Sequence, residues 1–325
     1  MEKLRVAVIG VGYLGRFHAQ KYAALPGCTL VAVADARAEA GDAVAKETGA
    51  RALRDHRELL GQVDAVSVAT PTAAHFAIAL AFLENGAHVL VEKPVTETVA
   101  QAQQLVDAAR RAGRVLQVGH LERFNPAIIA AEPHLRTPRF IECQRLAPFR
   151  ERGTDVNVVL DLMIHDLDIV QSIVGSGIEA IDAIGTPVFS PEIDIANARI
   201  RFANGCVANA TASRVSLKTE RKLRIFQDDA YLSLDLQQKI LTVIRKQAVP
   251  GGGAAAGADG AAQLPVSISE ESFEPGDALL REIEAFLASC RGERPVVVSG
   301  EDGARALQTA VAIAAAVRAG ARPAA

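Results

Sequence analysis

The chain has 325 residues, half of them hydrophobic, and a formal net charge of −3. Such a length holds two domains with a sizeable core in each, and the near-neutral balance offers neither a basic surface for nucleic acid nor an acidic tail. Cys28, Cys143, Cys206 and Cys290 are scattered without paired metal spacing, so they read as buried thiols in a reducing compartment. Met1 leads almost directly into a strand, leaving no room for a signal peptide, and the apolar stretch at 310–317 is too short to span a bilayer. A soluble, cytoplasmic enzyme is the expectation.

Residues 4–9 form a compact apolar strand, and Gly10-Val11-Gly12-Tyr13-Leu14-Gly15 follows at once. With a helix expected at 17–25, the glycines stand between strand and helix, the context a dinucleotide turn requires. Gly10 permits the tight turn, Gly12 lets the backbone approach a pyrophosphate, and Gly15 permits close helix–strand packing. The second strand, 30–34, ends in Asp35, twenty residues past Gly15. A carboxylate there accepts from the ribose hydroxyls and repels a 2′-phosphate, so NAD is expected over NADP, with Arg37 beside it. A helix at 38–48, a short segment near Arg51 and a small helix through Leu59 come next. The strand at 65–69 then runs into Thr70-Pro71 and, within the start of a helix reaching 85, His75. Thr70 and Pro71 would lie near the cofactor, and His75 reads as a capping or packing residue or a cofactor contact.

The run His88-Val-Leu-Val is a strand packed on both faces, and it stops on Glu92-Lys93-Pro94. Proline has no N–H for a sheet and disfavours helix in the residue before it. Lys93 is therefore held extended at the carboxyl end of a parallel strand, where open α/β sheets bind ligands and where a lysine can steady an anion or a developing alkoxide. A helix at 99–112 and a strand at 115–118 complete a doubly wound parallel sheet. The first domain is placed at 1–120 and a second at 121–325.

From Gly119 the character changes. Gly119-His120-Leu121-Glu122-Arg123-Phe124-Asn125-Pro126 leaves the sheet for a helix, followed by a strand at 140–146 and a polar loop at 148–155. A helix covers 158–174, because Leu160, Ile164 and Leu167 recur at helical spacing. Strand-like runs then follow without crossover helices, which implies an open, mainly antiparallel sheet. The stretch 250–263 is almost all glycine and alanine, a flexible insertion, and helices at 278–290 and 303–319 close the chain. Asp161 and His165 fall one helical turn apart on one face, with Asp168 three residues on. A histidine beside a carboxylate is a tuned acid–base pair. Metal binding by Asp161 and His165 is the weaker reading, since no third ligand stands at sensible spacing and Lys93 would repel a cation; no metal is expected.

Together the dinucleotide turn, Glu92-Lys93-Pro94 and Asp161-x-x-x-His165 resemble the Gfo/Idh/MocA oxidoreductase family. The resemblance covers the whole chain. It implies a Rossmann domain, then an α/β domain whose open sheet mediates oligomers, and NAD(P)-linked oxidation or reduction of a sugar, polyol or related alcohol. Carried over by motif, Lys93, Asp161 and His165 are the catalytic residues, and Glu92 and Lys93 join Gly10, Gly12, Tyr13, Leu14, Gly15, Asp35, Arg37, Thr70, Pro71 and His75 around the cofactor. Gly119 to Pro126 and Leu160 to Asp166 are similar, more narrowly, to bacterial UDP-N-acetylglucosamine 3-dehydrogenases, which resemble the enzymes that begin the diamino sugar of some lipid A. A nucleotide sugar carries a diphosphate suited to arginine, and Arg123, Arg145, Arg150 and Arg152 are the candidates to contact it. A free-sugar or inositol dehydrogenase and a non-catalytic NAD-binding regulator are the alternatives.

Overall fold

Strands β1 (Leu4–Ile9), β2 (Cys28–Ala34), β3 (Arg51–Leu53), β4 (Ala65–Val68), β5 (His88–Glu92) and β6 (Leu116–Gly119) pair in parallel in the order β3-β2-β1-β4-β5-β6. Helices α1 (Tyr13–Ala24), α2 (Ala38–Thr48), α3 (Thr72–Glu84) and α4 (Val99–Ala112) make the crossovers. Strand order reverses between β1 and β4, and such a switch point leaves a crevice at the carboxyl ends of its two strands. α1 begins directly after Gly12, four residues ahead of the expected helix, and ends where Pro26 forces Leu25 extended. α3 likewise begins at once behind Pro71. α4 is set by a capping box, in which Thr98 Oγ1 accepts from the Gln101 N–H and the Gln101 side chain accepts from the Thr98 N–H, both at 3.2 Å.

The computed structural model describes residues 3–150, 156–247, 255–256, 262–263, 266–274 and 276–320. Past the first sheet come α5 (Pro126–Ala131), β7 (Pro138–Leu146) and α6 (Ile164–Val174). Then follow β8 (Ile178–Thr186), β9 (Ile195–Phe202), β10 (Val207–Ser213), β11 (Glu220–Gln227), β12 (Ala230–Asp235) and β13 (Ile240–Lys246). The 250–263 insertion lies mostly outside the described residues; its described parts, β14 (Ala255–Ala256) and β15 (Ala262–Gln263), pair with each other. With β16 (Val266–Ser272), the eight-stranded sheet runs β16-β13-β12-β11-β7-β10-β9-β8, antiparallel throughout except between β7 and β10. Along β9 every second residue is buried (Ala196, Ala198, Ile200, Phe202), the two-residue period of a sheet with one apolar face. The other face carries polar pairs such as Asn197–Thr211 at 2.8 Å and Arg199–Asn209 at 3.1 Å.

The chain closes with α7 (Ala278–Cys290) and α8 (Gly300–Gly320). Leu279, Ile283, Phe286 and Leu287 recur at helical spacing on one face of α7 and join Val6, Val8, Tyr22 and Leu30 in a single buried cluster. Contacts accordingly divide the chain into Met1–Phe124 with Asp277–Gln308, and Asn125–Gly276 with Thr309–Ala325. Residues 277–308 thus lie with the first unit, whereas the sequence reading placed them in the second domain. Phe286 is wholly buried, so Phe286→Ala is expected to cost about 3–5 kcal/mol, the usual range for deleting a core phenylalanine. Urea unfolding of the whole chain measures it, and a cost under about 1 kcal/mol would mean that α7 only overlies the sheet.

Candidate functional site

The turn after β1 is shaped by what its glycines leave out. Gly10 has φ +80, and a Cβ there would meet Thr70 and Ala69 at 2.8–2.9 Å. A Cβ on Gly15 would stand 1.9 Å from the Gly10 carbonyl oxygen, whereas one on Gly12 would meet only Arg37, at 3.6 Å. Gly12 therefore leaves an open cradle at the head of α1, where helical N–H groups and the helix dipole favour a phosphate. Asp35 is buried at the end of β2; its Oδ2 accepts the Val11 N–H and its Oδ1 the Arg37 N–H, both at 2.9 Å. Burial opposes its charge, but the N–H groups of Arg37 and Val11 and the Arg37 guanidinium outweigh that and hold the carboxyl below its ordinary range. Tyr13 and Arg37 are exposed beside the turn and Leu14 is half-buried. Thr70 Oγ1, enclosed next to Gly10, has no hydrogen-bond partner among the described residues. A cradle without side chains, an anionic Asp35 and an orphaned hydroxyl together suit a dinucleotide.

At the ends of β4 and β5, His75 links two loops. It is buried, with Nδ1 3.0 Å from the Pro94 carbonyl oxygen and Nε2 2.8 Å from that of Thr70. Both ring nitrogens thus face backbone carbonyls, an arrangement that fits the packing role. Pro71 is exposed, Lys93 and Pro94 are half-buried, and the Lys93–Pro94 bond is cis. Glu92 turns inward: its Oε1 lies 3.1 Å from His18 Nε2, and its Oε2 accepts the Lys93 N–H at 3.3 Å. His18 escaped the sequence reading, although a histidine on the sheet-facing side of α1 signals a buried polar partner.

In the second unit Asn157 caps the helix that carries the acid–base pair, its Oδ1 accepting from Val159 and Leu160 at 3.1 Å. The expected continuous α-helix at 158–174 opens instead with a π turn, Val159–Met163, before α6. Asp161 lies in that wide turn and His165 in the first turn of α6, and both are half-buried. Such turns recur at functional sites. Arg145 departs most from expectation: it is buried, and its Nε and Nη2 donate to Asp166 at 3.0 and 2.7 Å, an internal bidentate pair. Asp168 is buried as well. Arg150 is exposed, Arg152 lies outside the described residues, and Arg123, in the first unit, donates to the Val297 carbonyl at 3.3 Å.

The two inner glycines separate folding from binding. Gly12→Ala meets no clash and an ordinary φ of −65, so it is expected to leave the melting temperature unchanged yet weaken dinucleotide affinity at least about tenfold, about 1.4 kcal/mol. Gly15→Ala is expected to destabilise the fold itself. Calorimetric binding beside thermal melts checks both, and unchanged affinity in Gly12→Ala would remove the cradle.

Residues 4–120 match the oxidoreductase family's NAD-binding Rossmann fold, and residues 149–324 match that family's C-terminal α/β domain. The chain is 40% identical, over 98% of its length and 99% of the relative's, to the UDP-N-acetylglucosamine 3-dehydrogenase of Acidithiobacillus ferrooxidans. The solved structure of an Acidithiobacillus ferrooxidans UDP-N-acetylglucosamine 3-dehydrogenase superposes with TM-score 0.87 at 38% identity, covering 98% of this chain and 99% of that one. A myo-inositol 2-dehydrogenase of Thermotoga maritima is 26% identical over 94% of this chain and 93% of its own. A levoglucosan dehydrogenase in complex with NADH and levoglucosan, 20% identical with TM-score 0.82 and covering 98% of both chains, shares the fold. With its glycine cradle, Asp35 and both domains matched end to end, the chain belongs to the Gfo/Idh/MocA family of NAD-binding oxidoreductases.

Proposed function

We propose that this oxidoreductase oxidises the 3-hydroxyl of UDP-N-acetylglucosamine. The observation that carries the reading is the end-to-end 40% identity to a dehydrogenase of that name, and we assign the catalytic roles to Lys93, Asp161 and His165. NAD, when bound, supplies the hydride acceptor. Lys93 places positive charge where the substrate oxygen gains negative charge as its proton leaves. His165 takes that proton as general base, and Asp161 orients it or steadies its charge. Residues 1–120, with 277–308 packed against them, hold the cofactor; the rest of 121–325 holds the substrate and assembles the homo-oligomer through the polar face of the eight-stranded sheet.

Of the candidate arginines among the described residues Arg150 is our choice for the diphosphate, because Arg145 is engaged by Asp166 and Arg123 by a carbonyl, while Arg152 stays a second candidate. Remote binding of the nucleotide then aligns the sugar. Among the described residues no helix is long and apolar enough to cross a membrane; we infer a cytoplasmic enzyme at an early step toward an amino sugar such as that of lipid A.

NADH absorbance with a panel of UDP-sugars, free N-acetylglucosamine and inositols tests the substrate. UDP-N-acetylglucosamine is expected to give the highest kcat/KM, with Arg150→Ala raising KM for the nucleotide sugar alone. Preference for an inositol would move the reading to the relatives of that activity. Lys93→Ala and His165→Ala are each expected to lower kcat about a hundredfold or more, the scale of a positioned acid or base, with cofactor affinity little changed. Either variant turning over normally would remove that residue's role. Asp35→Ser is expected to narrow or reverse a preference for NAD over NADP, read from the two dissociation constants; tighter binding of NADP by the unmodified protein would contradict it.

A further inference from the structure

Behind the carboxyl end of β5 the first unit encloses a polar chain that the proposed reaction leaves unused. The Tyr22 hydroxyl lies 2.8 Å from Ser67 Oγ, Ser67 Oγ lies 3.2 Å from His18 Nδ1, and His18 Nε2 lies 3.1 Å from Glu92 Oε1. One direction of donation satisfies every member. Tyr22 donates to Ser67, Ser67 to His18 Nδ1, and His18 Nε2–H to Glu92, whose other oxygen accepts the Lys93 N–H. All four side chains are buried. Gly119 closes the other side, since a Cβ there would come within 2.9 Å of both Glu92 carboxylate oxygens.

Glu282, on α7, completes the cluster. It is wholly buried, neither of its carboxylate oxygens has a hydrogen-bond partner among the described residues, and an oxygen of its carboxyl lies within 4.8 Å of the facing atoms of His18 and Glu92. The groups that face it are Glu92 from β5 and His18 and Tyr22 from α1. From β6 comes Gln117, whose amide donates to the Glu282 backbone carbonyl at 3.3 Å. Two carboxylates this close in a dry interior cannot both carry charge cheaply. Burial, and then the charge of Glu92, push the Glu282 carboxyl well above its ordinary range.

We propose that His18 and Glu92 are positioning residues that fix the backbone of Lys93, and that Glu282 is kept as a neutral acid so that Glu92 alone holds negative charge in this core. The proposal rests on the reading of Lys93 as the group that polarises the substrate oxygen. An ionised Glu282 would repel Glu92 and compete for the His18 N–H, loosening the carboxylate from the Lys93 amide.

Two measurements test it. In the first, His18→Ala and Glu92→Gln are expected to lower kcat about tenfold or more, the scale of a misplaced reacting group, with NAD affinity unchanged. His18→Gln, which returns an N–H near the Nε2 position, is expected to recover part of the loss. Lys93→Ala combined with His18→Ala is expected to be no slower than Lys93→Ala alone, because His18 acts through Lys93. Folded His18→Ala with normal kcat, or losses that add, would overturn the positioning role. The second needs no turnover. A carboxyl raised when folded contributes stability that is full below its unfolded value and is lost as pH rises through its folded value. Glu282→Gln cannot ionise, so its melting temperature relative to the unmodified protein is expected to climb as pH rises above the ordinary carboxyl range. A difference independent of pH would overturn the neutral acid, as would a stoichiometric metal in the purified protein that Glu282→Gln releases. Normal turnover in Lys93→Ala would remove the assignment of Lys93 and leave the melting result to judge Glu282 separately.

Discussion

Helix α1 packs so tightly on the end of β1 that a single methyl group on Gly15 would collide with the Gly10 carbonyl, and much of the first unit follows from that seat. The helix presents its amino end over the turn, where Gly12 leaves space, and carries His18 and Tyr22 on its buried face toward Ser67 and Glu92. A phosphate cradle and a polar core are therefore set by one rigid element. Moving α1 by one residue, about 1.5 Å, would disturb both together.

Much of this was legible in the sequence because the signals were local. Strand, glycines and helix lie within twenty-one residues of one another between Leu4 and Ala24, and β5 announces its end with Glu92-Lys93-Pro94. The misreadings share a physical cause, which is that a side chain's partner depends on the third dimension. Arg145, a candidate ligand contact by residue type, alternates with Ile141 and Cys143 on the buried side of β7, and that two-residue period argues against an outward guanidinium. Asp166 could be recognised as its partner only once α6 and β7 were folded together. The π turn at Val159–Met163 leaves no mark in hydrophobic spacing, because one turn of a different pitch hardly alters an apolar stripe.

The second unit treats its two sheet faces differently. Buried alanines, isoleucine and phenylalanine along β9 face the core, and the same strand shows Asn197 and Arg199 on the opposite side, each bonded to β10. Anchors such as Asp194, which accepts from three consecutive backbone N–H groups and from Arg214, fix the chain entering β9. Its carboxyl is wholly buried; burial opposes the charge, but Ser190 and those N–H groups hold it far below the ordinary range.

The placement of α7 has a consequence for synthesis. Phe286 and Ile283 fill the same core as Val6 and Val8, although the whole second sheet lies between them in the chain. A growing polypeptide therefore finishes the β-strands of its nucleotide unit early and waits for nearly all of the second unit before the helix that seals them emerges. Until then an apolar face meant for α7 stays open to water, and loop closure over so long an intervening segment costs conformational entropy that local pairing does not. The order of the genetic message thus makes completion of the cofactor unit a late event, coupled to the synthesis of the unit inserted within it.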